Sequence, residues 1–135
     1  MPVMSILKNA LGQSLESPSI LLASDSERHG ELMHGILQGE GFHTRFAGDY
    51  SQLDHFLADH RFDMVLLEVT GIHAVEAAVA TALRAKRARE GQFVGYLADP
   101  ALEASGLAGD GVFPRDAARL PVALRSLFAD HRDLF

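Results

Sequence analysis

Four apolar side chains stand in an unbroken row from Met64 to Leu67, and the run stops on a carboxylate, Glu68, within the stretch DMVLLEV. A strand that alternates apolar and polar residues can leave one face in water, but a continuous apolar run cannot. The stretch therefore predicts a strand covered on both faces, as the strands of parallel sheets are. Parallel neighbours in turn demand long crossover connections, usually helical. One short segment thus dictates what must flank it.

The flanks comply. SILLAS (19–24), FHTRFA (42–47), QFVGYLA (92–98) and GVF (111–113) read as four more strands. Segments of helical period lie between them. Leu32, Met33, Ile36 and Leu37 form a stripe diluted by Gly30, Gly35 and Gly39. Leu53, Phe56 and Leu57 mark a second helix, opened by Ser51 with Asp54 three residues on, a capping-box pattern. An Ala-rich helix is predicted over 74–90. A final helix starts near Pro121, suited to a first helical position, with Leu120, Leu124, Leu127 and Phe128 inward. This alternation predicts an α/β domain, a five-stranded parallel sheet with helices on both faces. Sites on such sheets gather outside the carboxyl ends of the strands. Those ends hold Ser24 and Asp25, Glu68, Leu97 and Ala98, and Pro114 and Arg115.

Composition removes several function classes. The chain has 135 residues, enough for one domain, and at 47% hydrophobic it can bury a single core without staples. It has no cysteine, so disulfides and thiolate chemistry are excluded. A net charge of −6 argues against direct nucleic-acid binding. The opening MPVMSILKNALGQSLESPS lacks the apolar run of a signal peptide, and no segment approaches the roughly 20 apolar residues of a membrane span. A soluble, cytoplasmic protein is expected. Residues 1–18 stand apart as a tail or short helix, with Ile6, Leu7, Ala10, Leu11 and Leu15 as a weak stripe able to dock on a partner, and the domain is expected to run over 19–135.

Several chemical signals are set aside. His55, Asp59 and His60 lie on or near one helix, but no third ligand follows on the same side, so no metal site is expected there. DSERHG (25–30) lacks the Asp-x-His-x-x-Gly spacing of a cobalamin-binding domain, because Glu27 stands where the His is needed. GLAGDG (106–111) precedes a strand rather than opening a helix, so it is not a dinucleotide loop. Ser24 and Ser26 have no partnering base, which argues against a hydrolase. The cluster Arg84, Lys86, Arg87 and Arg89 reads as a solvated helix end that complements the macrodipole, with a docking patch as the alternative.

The order and spacing of these elements resemble the receiver domain of two-component response regulators. The span GFHTRFAGDYSQLDHFLADHRFDMVLLEV is similar to that family's second strand, second helix and third strand, and GDGVFPRDAARLPVALRSLF to its fifth strand and final helix. The resemblance covers about residues 19 to 130. It implies a flavodoxin-like, doubly wound fold with strand order 2-1-3-4-5. It also makes the segment between Leu97 and Asp110 a shortened fourth helix.

The resemblance implies a chemistry that these residues depart from. The family has an acidic pair after strand one, a phospho-accepting Asp ending strand three, a Thr or Ser ending strand four and a Lys ending strand five. The acids and a backbone carbonyl hold Mg²⁺ while the Asp takes a phosphoryl group. The matching positions here hold Ser24 and Asp25, Glu68, Leu97 and Arg115, with Thr70 at the carbonyl position and Val112 as a further switch position. Glu68 is one methylene too long for in-line transfer. Leu97 has no hydroxyl to sense a phosphate, and Ile72 replaces a usual proline in the loop.

The expectation is a degenerate pseudo-receiver acting in a bacterial-type pathway by phosphorylation-independent contact with a protein partner (a kinase, an output domain or an enzyme). No cofactor is expected beyond weak Mg²⁺ binding at Asp25 and Glu68, and no catalytic residue. Glu68 either mimics a phospho-aspartate toward Arg115 or forms a structural ion pair, Arg115 offering a bidentate fork to Glu68 or Asp25. The alternatives are a working Mg²⁺-dependent phospho-acceptor, and a small-molecule sensor marked by an apolar cavity lined by Leu97, Tyr96 and Val69. A homodimer is expected if the N-terminal stripe and Leu134 and Phe135 form an exposed patch.

Overall fold

The computed structural model describes residues 18–130. The elements follow one another as β1 (Ser19–Ser24), α1 (Glu27–Gly39), β2 (His43–Phe46), α2 (Leu53–Asp59), β3 (Met64–Glu68), α3 (Val75–Ala88), β4 (Phe93–Leu97), β5 (Gly111–Phe113) and α4 (Arg119–Asp130). Short 3₁₀ turns at Tyr50–Gln52 and Ile72–Ala74 lead into α2 and α3. All strands pair in parallel, in the order β2-β1-β3-β4-β5. Residues 1–17 and 131–135, which carry the N-terminal stripe, Leu134 and Phe135, lie outside the described residues.

The period-2 alternation of the strands divides the core into two layers. Leu21, Val65, Leu67, Val94 and Tyr96 face α2 and α3 and pack on Leu53, Ala78, Ala82 and Ala85. Ile20, Leu22, Met64, Leu66 and Leu97 face the other way and pack on Met33 and Leu37 of α1 and on Leu120, Leu124 and Phe128 of α4. Every residue of β3 is buried, as its unbroken apolar run requires. Each fully buried Leu or Ile contributes roughly 1.5–3 kcal/mol, so this alternation is the main source of stability.

Local details correct three expectations. The capping box at Ser51 does not form. Asp49 accepts from the Gln52 N–H and from the Ser51 hydroxyl, and so caps the 3₁₀ turn that precedes α2. Pro121 is the third helical residue rather than the first, a position whose missing N–H still lies among the four that no helix satisfies internally. The segment expected to be a shortened fourth helix contains a 3₁₀ stretch, Pro100–Ser105, that ends at Gly106 with φ 93°. A left-handed residue there suits glycine and stops further winding.

The basic end of α3 is partly consumed within the fold. Lys86 pairs with Asp110 (2.5 Å) and Arg89 donates to the Phe62 carbonyl (2.7 Å) and to Gln92. Arg84 stands 3.6 Å from Asp54 on α2. These contacts fasten α3 to its neighbours, so three of the four cations are partnered. No helix among the described residues is long and apolar enough to cross a membrane.

Candidate functional site

The parallel register puts Ser24, Glu68 and Leu97 in one row across the carboxyl ends of β1, β3 and β4. Residues in register on adjacent parallel strands point to the same face, so all three lie on the α1 and α4 side. Glu68 is fully buried, at 0% exposure. A carboxylate so placed needs partners for its oxygens. Oε1 accepts a hydrogen bond from the Ser24 hydroxyl (2.8 Å) and Oε2 accepts from Nε of Arg115 (2.9 Å). Arg115 stands two residues beyond β5 and reaches across the end of β4 to make this contact, which only the closed sheet permits.

Arg115 does not present the expected bidentate fork to one acid. Its Nε binds Glu68, and its Nη1 lies 3.4 Å from Oδ2 of Asp99, an exposed residue just past β4. Nor does it reach toward Asp25. That carboxylate is held from the other side, by the Thr70 N–H on Oδ1 (2.9 Å) and the Thr70 hydroxyl on Oδ2 (2.7 Å). The Nε2 of His73, an exposed side chain, lies 3.6 Å from the same Oδ2. Thr70 therefore acts through its side chain, where the sequence assigned it only a carbonyl.

Two residues that sequence reasoning missed complete the site. The Tyr50 hydroxyl donates to the main-chain carbonyl of Glu68 (2.6 Å), closing the strand end from the α2 side. Burial pushes this phenol well above its ordinary range, with the charges of Asp25 and Glu68 adding to the effect. Asp99 is the other. It follows β4 by two residues, and extending the reading of strand ends by that distance exposes it. Nothing in the sequence marks Tyr50, because its hydroxyl meets Glu68 only through the fold.

Of the switch positions, Leu97 and Arg115 come to Glu68 and Val112 does not. Val112 is in register with Tyr96, on the opposite face, half-buried against the α2 and α3 layer. The same alternation removes the cavity proposed for a small-molecule sensor. Leu97 belongs to one core layer and Tyr96 and Val69 to the other, all at 0% exposure, so the three cannot line a common space.

The donor set does not fit a resident Mg²⁺. Such an ion takes oxygen ligands at about 2.0–2.1 Å in octahedral geometry and is usually held by carboxylates. Here each oxygen of Asp25 and Glu68 already accepts a hydrogen bond, Ser24 supplies no charge, and the Arg115 guanidinium places a fixed positive charge 2.9 Å from Glu68. A dication would have to share oxygens that already accept from the protein and sit beside a cation, with two carboxylates to hold it. Among the described residues no group of three His, Cys, Asp or Glu is arranged to hold a metal.

A five-stranded parallel sheet in the order 2-1-3-4-5, with its polar cluster at the carboxyl ends, is the architecture of receiver domains. Solved structures carry the same arrangement. A response regulator from Thermotoga maritima superposes with a TM-score of 0.64 at 16% identity, over 84% of this chain and 98% of that one. The signal receiver domain of an HD domain-containing protein from Pseudomonas fluorescens gives 0.63 at 20% identity, over 87% and 91%. A chemotaxis response regulator of Vibrio cholerae gives 0.58 at 18%, over 82% and 98%. The chain thus has the receiver fold, as its element order implied. No family model matches the sequence, and no curated protein does.

Proposed function

We propose that this chain is a pseudo-receiver, a signalling module that has kept the receiver fold and lost the phosphorylation cycle. The reading rests on one observation. Glu68, at the end of β3 where the resemblance puts the phospho-accepting Asp, is fully buried, and both of its oxygens are engaged, by Ser24 and by Arg115. A carboxylate must present a free oxygen to an incoming phosphoryl group in line with the leaving group. Here both oxygens are turned to protein donors and the side chain has no exposed surface from which a phosphoryl group could approach.

The fixed pair between Glu68 and Arg115 supports a permanent state. In a switching receiver a group at the end of the last strand responds to an added phosphate; here Arg115 is already satisfied by the protein's own acid. The module then signals by presence and contact rather than by modification, has no resident cofactor and performs no catalysis. Its partner is a protein of a bacterial-type pathway, met in the cytoplasm.

Incubating the chain with acetyl phosphate and Mg²⁺, followed by intact-mass and peptide spectrometry, tests this directly. The expected result is no phosphoryl adduct. An adduct mapping to Glu68 overturns the proposal in favour of a working acceptor.

A further inference from the structure

Within the basic cluster at the end of α3, Arg87 is the cation that the fold leaves unused. Arg84 stands near Asp54, Lys86 pairs with Asp110 and Arg89 serves the Phe62 carbonyl. Arg87 makes no ion pair or hydrogen bond among the described residues, and neither does Glu76 in the first turn of the same helix. Both side chains are exposed. An acid at the start of a helix and a base at its end complement the macrodipole, which accounts for the signs of the two charges. It does not account for what lies between them.

Glu76, Ala80, Leu83 and Arg87 follow one another at intervals of four, three and four residues, all exposed on α3. At about 3.6 residues per turn they fall within an arc of about 60°, one narrow stripe on the side away from the buried Ala78, Ala82 and Ala85. Leu83 keeps 47% of its surface in solvent, and Ala80, a methyl group only, leaves a shallow place beside it. The spacing reads the same from either end of the stripe, and the charges at its two ends are opposite. A stripe with both properties is complementary to its own antiparallel copy.

We infer that the outer face of α3 is a self-association surface whose partner is a second copy of this chain, the two helices packing antiparallel about a two-fold axis. Each Glu76 then meets the Arg87 across the axis, and each Leu83 lies on the Ala80 across it. A two-fold interface repeats every contact, so both the ion pair and the apolar contact count twice. Intervals of three and four residues are those of a helix–helix seam, and antiparallel helices oppose their macrodipoles. The α3 layer lies on the sheet face away from α1 and α4. The pairing therefore leaves both Glu68 sites clear, at opposite ends of the dimer, and it does not rest on the pseudo-receiver reading. A helix of 14 residues is only about 21 Å long, so the interface is small and the association weak.

The test is analytical ultracentrifugation of the full chain at low salt, from about 20 µM to about 1 mM, the span suited to a small interface. The mean mass of the parent should rise toward that of a dimer with concentration, and should fall back as added salt screens the charges. Glu76→Arg and Arg87→Glu should each stay monomeric, because each sets like charges against one another twice. Both positions are exposed and unpartnered, so both variants should keep the parent's circular dichroism spectrum. Mixing the two variants should restore dimers, since every pairing across the axis then sets an arginine against a glutamate. Leu83→Gln should weaken association about tenfold or more, the apolar contact being lost twice. A parent that is monomeric throughout, a dimer that either charge reversal leaves intact, or folded variants that do not associate when mixed would each overturn the inference.

Discussion

Replacing Glu68 with glutamine keeps its shape and removes its charge, and the cost can be worked from the contacts. In one orientation the amide oxygen still accepts from Ser24, but the NH₂ then faces the N–H of Arg115, donor against donor. In the other the oxygen serves Arg115, and the NH₂ meets a Ser24 hydroxyl that already accepts the Ser26 N–H (3.0 Å) and whose own proton has lost its acceptor. Either way one hydrogen bond involving a charged group is lost, and such bonds contribute about 1.5–3 kcal/mol. Breaking a fully buried pair costs about 3–5 kcal/mol. Arg115 keeps 17% of its side chain in solvent and retains Asp99 at 3.4 Å, so the expected loss falls below that range, at about 2–3 kcal/mol. For a chain of 135 residues each kcal/mol moves the melting temperature by about 3–4 °C, so a drop of about 6–12 °C is expected. Arg115→Met should cost more, since it strands the carboxylate itself, and the double variant should recover part of the sum in a thermodynamic cycle. Calorimetric melting of the four proteins supplies the numbers. If Glu68→Gln melts within 2 °C of the parent, a range in which this pair would be worth about 0.5 kcal/mol at most, the buried pair does not hold the strand end and the reasoning fails.

The remaining predictions are shorter. The chain has two tyrosines, Tyr50 and Tyr96, and burial raises both phenols, Tyr96 to about 12 with the nearby Asp110 charge adding to the effect. Each holds its proton more tightly folded than unfolded, so stability is intact below about pH 10 and falls as pH rises through the folded values. Tyrosinate absorbance should therefore stay low at pH 10 and rise together with the loss of circular dichroism; ionisation of either tyrosine at pH 10 in a native spectrum would contradict this. Asp99→Asn removes only an exposed contact at 3.4 Å and should change stability by less than about 1 kcal/mol in urea unfolding. Gly35→Ala, on the exposed side of α1 where a Cβ meets nothing, should stabilise by about 0.5–1 kcal/mol. Gly30→Ala should do the opposite by about 1–3 kcal/mol, because its Cβ would lie 2.9 Å from that of Ser24 and clash with the edge of the Phe46 ring.

How much of this was written in the sequence follows from the range of the forces involved. Binary patterning is local, so the unbroken run at 64–67 and the alternation around it determined strand and helix identities, the parallel sheet and the row of strand ends that holds Ser24, Asp25, Glu68, Leu97 and Arg115. Patterning also placed Glu68 at the end of a buried strand. It could not say which cation would meet it, because Arg115 is 47 residues away and joins Glu68 only when β5 closes beside β4. The capping pattern at Ser51 was legible and misleading, since the turn starts earlier, capped by Asp49, which also takes the Ser51 hydroxyl as a donor. Tyr50 on the Glu68 carbonyl, Thr70 on Asp25 and the register that sets Val112 beside Tyr96 belong to the tertiary structure alone. A side chain's face follows from period 2, but its partner depends on register between strands distant in sequence, which no local pattern encodes.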